Sequence, residues 1–199
     1  GWAPEGEQEI FSLDEMIKIW DPARISKSPA IFDPLKLRAI NAAYIRALPA
    51  EEFRKLADPF IDQAVHVQID RDLLCANLQP RCEVLEDIPP QLDFFDAVLP
   101  IDAEMYRNKK QKTTPESAKE ALSALLPVLE AQTDWSRDAI FEACKQKAEA
   151  MEKKNGWLLF PLGIALSGKA RTPGGGTDLA AMMGKEETLR RLNAAIEAL

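Results

Sequence analysis

Cationic and aromatic side chains alternate in one late stretch of the chain, residues 153–177. The charged residues in this stretch are all cations, Lys153, Lys154, Lys169 and Arg171, so its net charge is +4. Trp157 and Phe160 lie between them. Cations attract phosphate groups, and an aromatic ring stacked on a nucleobase contributes about 1–3 kcal/mol. These residue types therefore indicate contact with a nucleic acid whose bases are unstacked.

The same residues also have a structural interpretation, which the sequence alone leaves open. Trp157 and Phe160 could be core aromatics, and Lys153 and Lys154 could complement the negative end of a helix dipole. A second basic run, residues 107–112, contains Lys109 and Lys110 and could be either a solvated linker or a phosphate contact.

Residues for catalysis or for metal binding are not predicted. The chain has one histidine, His66, whose apolar surroundings favour a hydrogen-bonded structural role. Three cysteines without a C-x-x-C pair cannot form a four-ligand zinc site, and we expect them in the core. They are Cys75, Cys82 and Cys144.

Two short motifs resemble nucleotide-binding loops without their context. Glycines 174–176 lack the spacing of a phosphate-binding loop and favour a flexible turn. Residues 24–28 (RISKS) resemble the KMSKS loop that grips ATP phosphates in class I aminoacyl-tRNA synthetases. That loop follows a nucleotide-binding sheet, and the 23 residues before this motif are too few to form one, so we reject an ATP-loop role.

The length of 199 residues allows one domain or two small ones, and 46% hydrophobic residues indicate a globular fold. The net charge of −7 is uneven: residues 1–100 contain 10 cations and 18 anions, whereas residues 101–199 contain 15 and 14. A polyanionic partner should therefore prefer the second half. Unpaired cysteines and the absence of a long apolar run predict a cytoplasmic protein without membrane contact.

The apolar periodicity is helical almost throughout, so the predicted fold class is all-α, a helical bundle in two subdomains. Ser12 with Glu15, and Asp33 with Pro34, have the spacing of helix starts. We expect Asn155-Gly156 to end a helix and Pro127 to kink its helix. We also expect separate helical pieces near residues 50–57 and 59–66. The basic run at residues 107–112 is the predicted boundary between the two subdomains.

Several blocks in order along the chain resemble the bacterial-type glutamyl-tRNA synthetase. The first are Gly1-Trp2, residues 9–16 (EIFSLDEM), residues 26–37 (SKSPAIFDPLKL), Asn41 and residues 44–45 (YI). Later blocks are residues 78–81 (LQPR) before Phe94-Phe95, residues 160–168 (FPLGIALSG) and residues 184–192 (GKEETLRRL). The resemblance covers essentially the whole chain and is loosest over residues 50–135.

The resemblance implies the non-catalytic, C-terminal part of that enzyme. Residues 1–48 would end the stem-contact region, and residues 49–112 and 113–199 would be two anticodon-binding subdomains. The implied partner is the tRNA for glutamate, with the tRNA for glutamine left open, and the implied state is a monomer. ATP and magnesium would belong to the catalytic domain, so no cofactor and no catalysis are expected of these residues themselves.

The resemblance also assigns candidate anticodon contacts. Phe160, Thr172 and Pro173 match family positions that lie at the anticodon, and Gly163 stands where the family has an arginine. Arg171 is a candidate to replace that guanidinium, and Arg81 matches an arginine of the other subdomain. Candidate contacts to the tRNA backbone are Lys36, Arg38, Lys109, Lys110, Lys153, Lys154 and Lys169.

Two other functions stay open at this stage. A helical protein-interaction or regulatory domain would show an exposed apolar surface and no cleft where cations and aromatics meet. A free-standing paralogue without a catalytic half would bind tRNA without charging it.

Overall fold

The computed structural model describes residues 2–27 and 31–199. These residues form helices, and a longer segment with several 3-10 turns, residues 79–114, connects the fourth helix to the fifth. Gly1 and residues 28–30, which belong to the blocks that resemble a synthetase, lie outside the described residues. The first four helices are α1 (Leu13–Ile19), α2 (Pro34–Ala47), α3 (Ala50–Ile61) and α4 (Arg71–Leu78). The other five are α5 (Pro115–Ala131), α6 (Arg137–Ala150), α7 (Asn155–Ser167), α8 (Gly176–Met183) and α9 (Lys185–Ala198). Across both described ranges there is no β-strand, which confirms the all-α prediction.

The predicted helix starts are confirmed by hydrogen bonds within one turn. The Glu15 amide donates to the Ser12 hydroxyl, and the Ser12 amide donates to the Glu15 carboxylate, so α1 begins with a capping box. The Asp33 carboxylate accepts from the amides of Leu35 and Lys36 at the start of α2.

Two predictions about helix ends were wrong. Asn155-Gly156 begins α7 and does not end α6, because α6 stops at Ala150 and Glu152 makes the left-handed turn with φ 55°. Pro59 lies inside the last turns of α3 and does not separate two helices.

Many apolar residues of α1 and α2 are exposed in the part of the chain described. None of the residues of α1 is buried, and Ile17 is 65% exposed. On α2, Leu37 is 53% exposed, while Ala42 and Ile45 face the core.

The centre of the molecule is α7, which is apolar on every side. Trp157, Leu158, Leu162 and Leu166 are buried along its length, and α5, α6, α8 and α9 pack around it. The core continues without a break from Phe53 in α3 to Leu192 in α9, across the predicted boundary at residue 112.

A buried arginine joins three distant parts of this core. Arg191, on α9, is 1% exposed, and its guanidinium donates to the backbone carbonyls of Leu166, Phe94 and Phe95 at 2.6–2.8 Å. Its Nε donates to a Glu187 carboxylate oxygen at 2.5 Å. Four of its N–H groups are thereby satisfied, and the charge is compensated inside the protein.

Glu187 makes the stability of this cluster depend on pH. Hydrogen bonds from Arg190 and then Arg191 lower the pKa of Glu187 from 4.5 to about 2. Because the folded-state pKa is depressed, the carboxylate stabilises the fold above pH 4.5, and this contribution is lost as the pH falls from 4.5 towards 2. We expect Glu187→Gln to be clearly less stable than the parent at pH 7, with a much smaller difference between the two at pH 2.5. Urea unfolding at both pH values checks this, and a gap that stays constant would contradict it.

Candidate nucleic-acid interface

One groove on the surface collects six of the predicted binding residues. It lies between the C-terminal half of α7, the loop over residues 168–175 and the turn that follows α4, and its volume is about 650 Å³. The predicted residues on its walls are Arg81, Phe160, Gly163, Lys169, Arg171 and Thr172. Residues more than 75 positions apart in the sequence therefore meet at one site.

The loop at the end of α7 is held by hydrogen bonds to the helix. Gly168 ends α7 in the left-handed conformation with φ 66°, and an added Cβ there would lie 2.9 Å from Leu99. The Ser167 hydroxyl donates to the Gly163 carbonyl at 2.7 Å, and the Lys169 amide donates to the same hydroxyl at 3.0 Å. The loop that carries Arg171 and Thr172 thus begins from a defined position.

Arg81 connects this loop to the other predicted subdomain. It lies in the short 3-10 turn Gln79–Arg81, and its guanidinium donates to the carbonyls of Thr172 and Pro173, both at 3.3 Å. The other N–H groups of the Arg81 guanidinium are available to an acceptor in the groove.

The loop residues differ in what they present to solvent. Arg171 is exposed and forms no ion pair or hydrogen bond with the residues that the structure describes. Thr172 is half-buried, and its hydroxyl donates to the Gly174 carbonyl at 2.6 Å, so its oxygen is left as an acceptor. Pro173, the other predicted anticodon contact in this loop, is buried.

The aromatic residues of the segment also differ. Phe160 is partly exposed on the groove wall, whereas Trp157 is 6% exposed and packs in the core. The Lys153 ammonium lies 5.1 Å from the centre of the Trp157 ring, on a different surface from the groove lining. The core interpretation therefore holds for Trp157, and Phe160 is the aromatic ring available in the groove.

Several predicted cations are occupied by carboxylates of the same chain. Lys169 forms an ion pair with Asp93 and donates to the Pro90 carbonyl at 2.9 Å. Lys36 pairs with Glu9 at 2.6 Å, and Arg38 pairs with Glu83 and Asp87. Lys109 and Lys110 are exposed in the turn closed by Asn108 and Thr113, and Lys154 is exposed at the start of α7. Of these residues, the five other than Lys169 do not line the groove.

Gln91 and Gly176 are among the groove residues that sequence reasoning missed. Gln91 lies on the wall, and its Nε2 donates to the Asp87 carbonyl at 2.7 Å. Gly176 begins α8, and its sequence signal was the glycine run itself, which we took for a flexible turn. An added Cβ at Gly176 would lie 2.8 Å from the Leu159 carbonyl oxygen and 3.0 Å from the Gly163 amide. The glycine is needed because α7 and α8 touch there through their backbones.

The facing glycines allow a paired prediction. We expect Gly176→Ala to lower the free energy of unfolding by about 1–3 kcal/mol, because the methyl group overlaps backbone atoms that cannot move alone. At Gly163 the nearest atom to an added Cβ is 3.7 Å away. Gly163→Ala should therefore be neutral or stabilise the fold by up to about 1 kcal/mol, since alanine is the better helix former. Urea unfolding of both variants checks this, and equal effects would contradict the close approach.

The histidine and the three cysteines do not line the groove. His66 is exposed, and its Nδ1 is hydrogen-bonded to Asp96 at 2.5 Å. The three cysteines are buried, and desolvation raises the pKa of Cys144 to about 12 and those of Cys75 and Cys82 to about 11. Among the described residues, no group of three or more histidine, cysteine or acidic side chains could hold a metal ion. No described helix is long and apolar enough to cross a membrane.

Comparison with known proteins supports the resemblance found in the sequence. The family model described as "Anticodon binding domain" matches residues 41–196. The chain is 43% identical over 199 residues to a glutamate–tRNA ligase of Clostridium botulinum strain Hall, and 42% identical over 200 residues to that of Clostridium acetobutylicum. Each match covers 100% of this chain and 41% of the relative, so the chain spans about two fifths of their length.

Solved structures show the same fold. A glutamate–tRNA ligase of Elizabethkingia meningosepticum, solved with its amino acid, superimposes with a TM-score of 0.85 at 28% identity. That match covers 100% of this chain and 39% of the other. The glutamate–tRNA synthetase of Elizabethkingia anophelis gives a TM-score of 0.78 over 99% of this chain and 38% of its own. The chain belongs to the anticodon binding domain family, in the form that is found in glutamate–tRNA ligases.

Proposed function

We propose that this chain is the tRNA-recognition part of a glutamate–tRNA ligase and that its groove receives an unstacked anticodon base. The observation that carries the proposal is the convergence of Phe160, Arg171 and Thr172 on one groove wall. An aromatic face, a free guanidinium and a hydroxyl acceptor are the parts by which proteins stack on and read unpaired bases.

The groove is large enough for this role. Its volume of about 650 Å³ lies within the range typical of ligand sites, about 300–1,000 Å³. Its walls combine apolar surface from Leu159, Phe160 and Ile164 with the guanidinium groups of Arg81 and Arg171. Apolar walls take the face of a base, and the guanidinium groups take its edge or a phosphate.

The absence of a side chain at Gly163 has a functional consequence in this proposal. An added Cβ at Gly163 would lie in ordinary van der Waals contact with the Gly176 backbone, so the packing does not require a glycine there. A base could approach the helix backbone at this point, and Arg171 would supply the positive charge that the family arginine otherwise provides. The tRNA for glutamate is the proposed partner, and the tRNA for glutamine is a second candidate.

We also propose an activity, a location, cofactors and an oligomeric state for the whole enzyme. The relatives' names support the joining of glutamate to tRNA as the activity of the whole enzyme. We also propose the cytoplasm as its location. We assign ATP and magnesium chemistry to the part of the relatives that this chain does not match. We propose that the protein binds tRNA as a monomer.

The competing function, a protein-interaction domain, is favoured by one observation. Leu13, Ile17 and Leu35 are each more than 60% exposed, which gives an apolar surface near the N-terminus. That surface is separate from the groove lining, so the two functions predict different effects of groove variants on RNA binding.

Titration with RNA tests the proposal. We would titrate the 199-residue chain with glutamate tRNA transcript and with an anticodon-substituted transcript, at two salt concentrations. We expect weaker binding of the substituted transcript and weaker binding of both at high salt, because bound cations release counterions from phosphates.

A pair of charge variants locates the binding surface. Arg171→Ala should weaken binding and reduce the slope of log K against log salt by about 0.7, the value for one phosphate contact to a single strand. The control is Lys119→Ala, since Lys119 is exposed on α5 and does not line the groove. Equal binding of both transcripts, or equal loss in the two variants, would leave only nonspecific attraction and contradict the proposal.

A further inference from the structure

A basic surface lies at the N-terminal end of α7. It consists of five exposed lysines from two segments that are distant in the sequence: Lys109, Lys110, Lys112, Lys153 and Lys154. The first three belong to the turn that the backbone pairing of Asn108 with Thr113 closes. The other two come directly before α7. None of the five lines the groove, so this surface is not part of the site described above.

One side chain brings the two segments together. Gln111, in the turn, packs on Gly156 in the first turn of α7, and a Cβ added to Gly156 would lie 1.8 Å from the Gln111 Oε1. The Lys153 ammonium is placed at the same end of the helix, 5.1 Å from the centre of the Trp157 ring. The lysines on both sides of Gln111 therefore share this end of α7 with Lys153 and Lys154.

Neighbouring carboxylates leave most of the charge of the basic surface uncompensated. In the described part of the chain, no carboxylate forms an ion pair with any of the five lysines. Arg107, in the same basic run, pairs with Glu104 at 2.6 Å and is therefore not counted in the surface. Glu152 comes directly before Lys153, so the five lysines and Glu152 carry a net charge of +4. Such a surface attracts phosphate groups.

The basic surface and the groove lie along one face of α7. Positions three, four and seven residues apart share a face of an α-helix, so Gly156, Phe160 and Gly163 lie on the same side. Phe160 and Gly163 line the groove, and Gln111 covers Gly156. At a rise of about 1.5 Å per residue, Gly156 and Gly163 are about 10 Å apart along the helix axis. Neighbouring nucleotides of one RNA strand can span that distance.

We propose that the basic surface binds the sugar-phosphate backbone of the RNA strand whose unstacked base occupies the groove. This inference rests on the proposed function, because a base beside Phe160 sets the course of the strand. The phosphates next to that base run along α7 towards Lys109 and Lys110. Backbone contacts carry no sequence information, so the basic surface contributes affinity and orientation, and the groove selects the base.

Two double variants with the same change of charge test the proposal. Lys109→Ala with Lys110→Ala removes two cations of the basic surface, and the control, Lys18→Ala with Lys55→Ala, removes two exposed cations of α1 and α3. Each is titrated with the glutamate tRNA anticodon stem-loop and with an anticodon-substituted stem-loop.

The first double variant should bind both stem-loops about 5- to 25-fold more weakly than the parent at about 0.1 M salt. Its slope of log K against log salt should fall by about 1.4, twice the value for one phosphate contact to a single strand. The control should leave affinity and slope nearly unchanged. Urea unfolding should show both variants to be as stable as the parent, because the substituted side chains are exposed.

Selectivity separates this inference from the proposed function. The ratio of the affinities for the two stem-loops should be the same in the first double variant as in the parent, since both RNAs present the same phosphates. A parent chain that binds the two stem-loops equally would contradict the proposed function, and the inference with it. A parent that distinguishes them, together with equal effects of the two double variants, would overturn the inference alone.

Ethylation interference shows which phosphates the basic surface contacts. Ethylation removes the charge of a phosphate, so modified phosphates next to the anticodon should weaken binding of the parent. The same modifications should weaken binding of the Lys109→Ala, Lys110→Ala variant less, because two of the cations that contact them are gone. Interference confined to phosphates of the stem, or undiminished in this variant, would overturn the proposal.

Discussion

Arg191→Met is expected to lower the free energy of unfolding by about 3–5 kcal/mol, because it breaks a buried ion pair from one side. Methionine keeps most of the volume but donates no hydrogen bond. The carbonyls of Leu166, Phe94 and Phe95 would lose the donor that now lies 2.6–2.8 Å away. Each buried acceptor left without a partner adds to the loss.

The neighbouring arginine supplies the control for this prediction. Arg190 pairs with the same Glu187, at 2.7 Å, but its side chain is 60% exposed. Arg190→Met should therefore change the stability by less than about 1 kcal/mol, as is usual for surface ion pairs. Urea unfolding should show a much lower midpoint for Arg191→Met at an unchanged slope. Similar midpoints for the two variants would show that the buried contacts contribute no more than the surface pair.

Phe160→Leu is expected to weaken binding of the glutamate tRNA transcript about 5- to 150-fold if the groove binds a base as proposed. This range corresponds to one aromatic–base stack of about 1–3 kcal/mol. Leucine keeps the apolar packing of this half-buried position in α7 and removes the flat ring. Fluorescence or filter-binding titration at fixed salt measures the change.

A conservative variant separates stacking from folding. Phe160→Tyr retains the ring, so we expect binding within about threefold of the parent, since its ring stacks as phenylalanine's does. Urea unfolding of both variants should give stabilities close to that of the parent. A loss of binding in Phe160→Tyr as large as that in Phe160→Leu, or no loss in either, would exclude a stacking role for this ring.

The local features of this protein can be predicted from its sequence alone. The start of α1 at Ser12 and Glu15, and that of α2 at Asp33 and Pro34, depend on side chains that reach backbone groups within one helical turn. The segment with net charge +4 and Phe160 could be recognised for the same reason, because its residues are neighbours in the chain. The family followed from blocks of residues in a fixed order.

Which of these residues are available to contact RNA depends on the tertiary packing. Lys169 and Lys36 looked free in sequence, but Asp93 and Glu9 lie against them after folding. Trp157 looked as suitable for stacking as Phe160, and the packing of four helices around α7 buries it.

Long-range contacts were equally out of reach of the sequence. Arg81 meets the carbonyls of Thr172 and Pro173 across about ninety residues, and Arg191 satisfies carbonyls at Phe94 and Leu166. In the sequence Arg191 is one of two adjacent arginines on a surface-like helix. The physical reason is that the interaction energy of a charge depends on distance in space. Folding can bring groups that are far apart in the sequence within hydrogen-bond distance of each other.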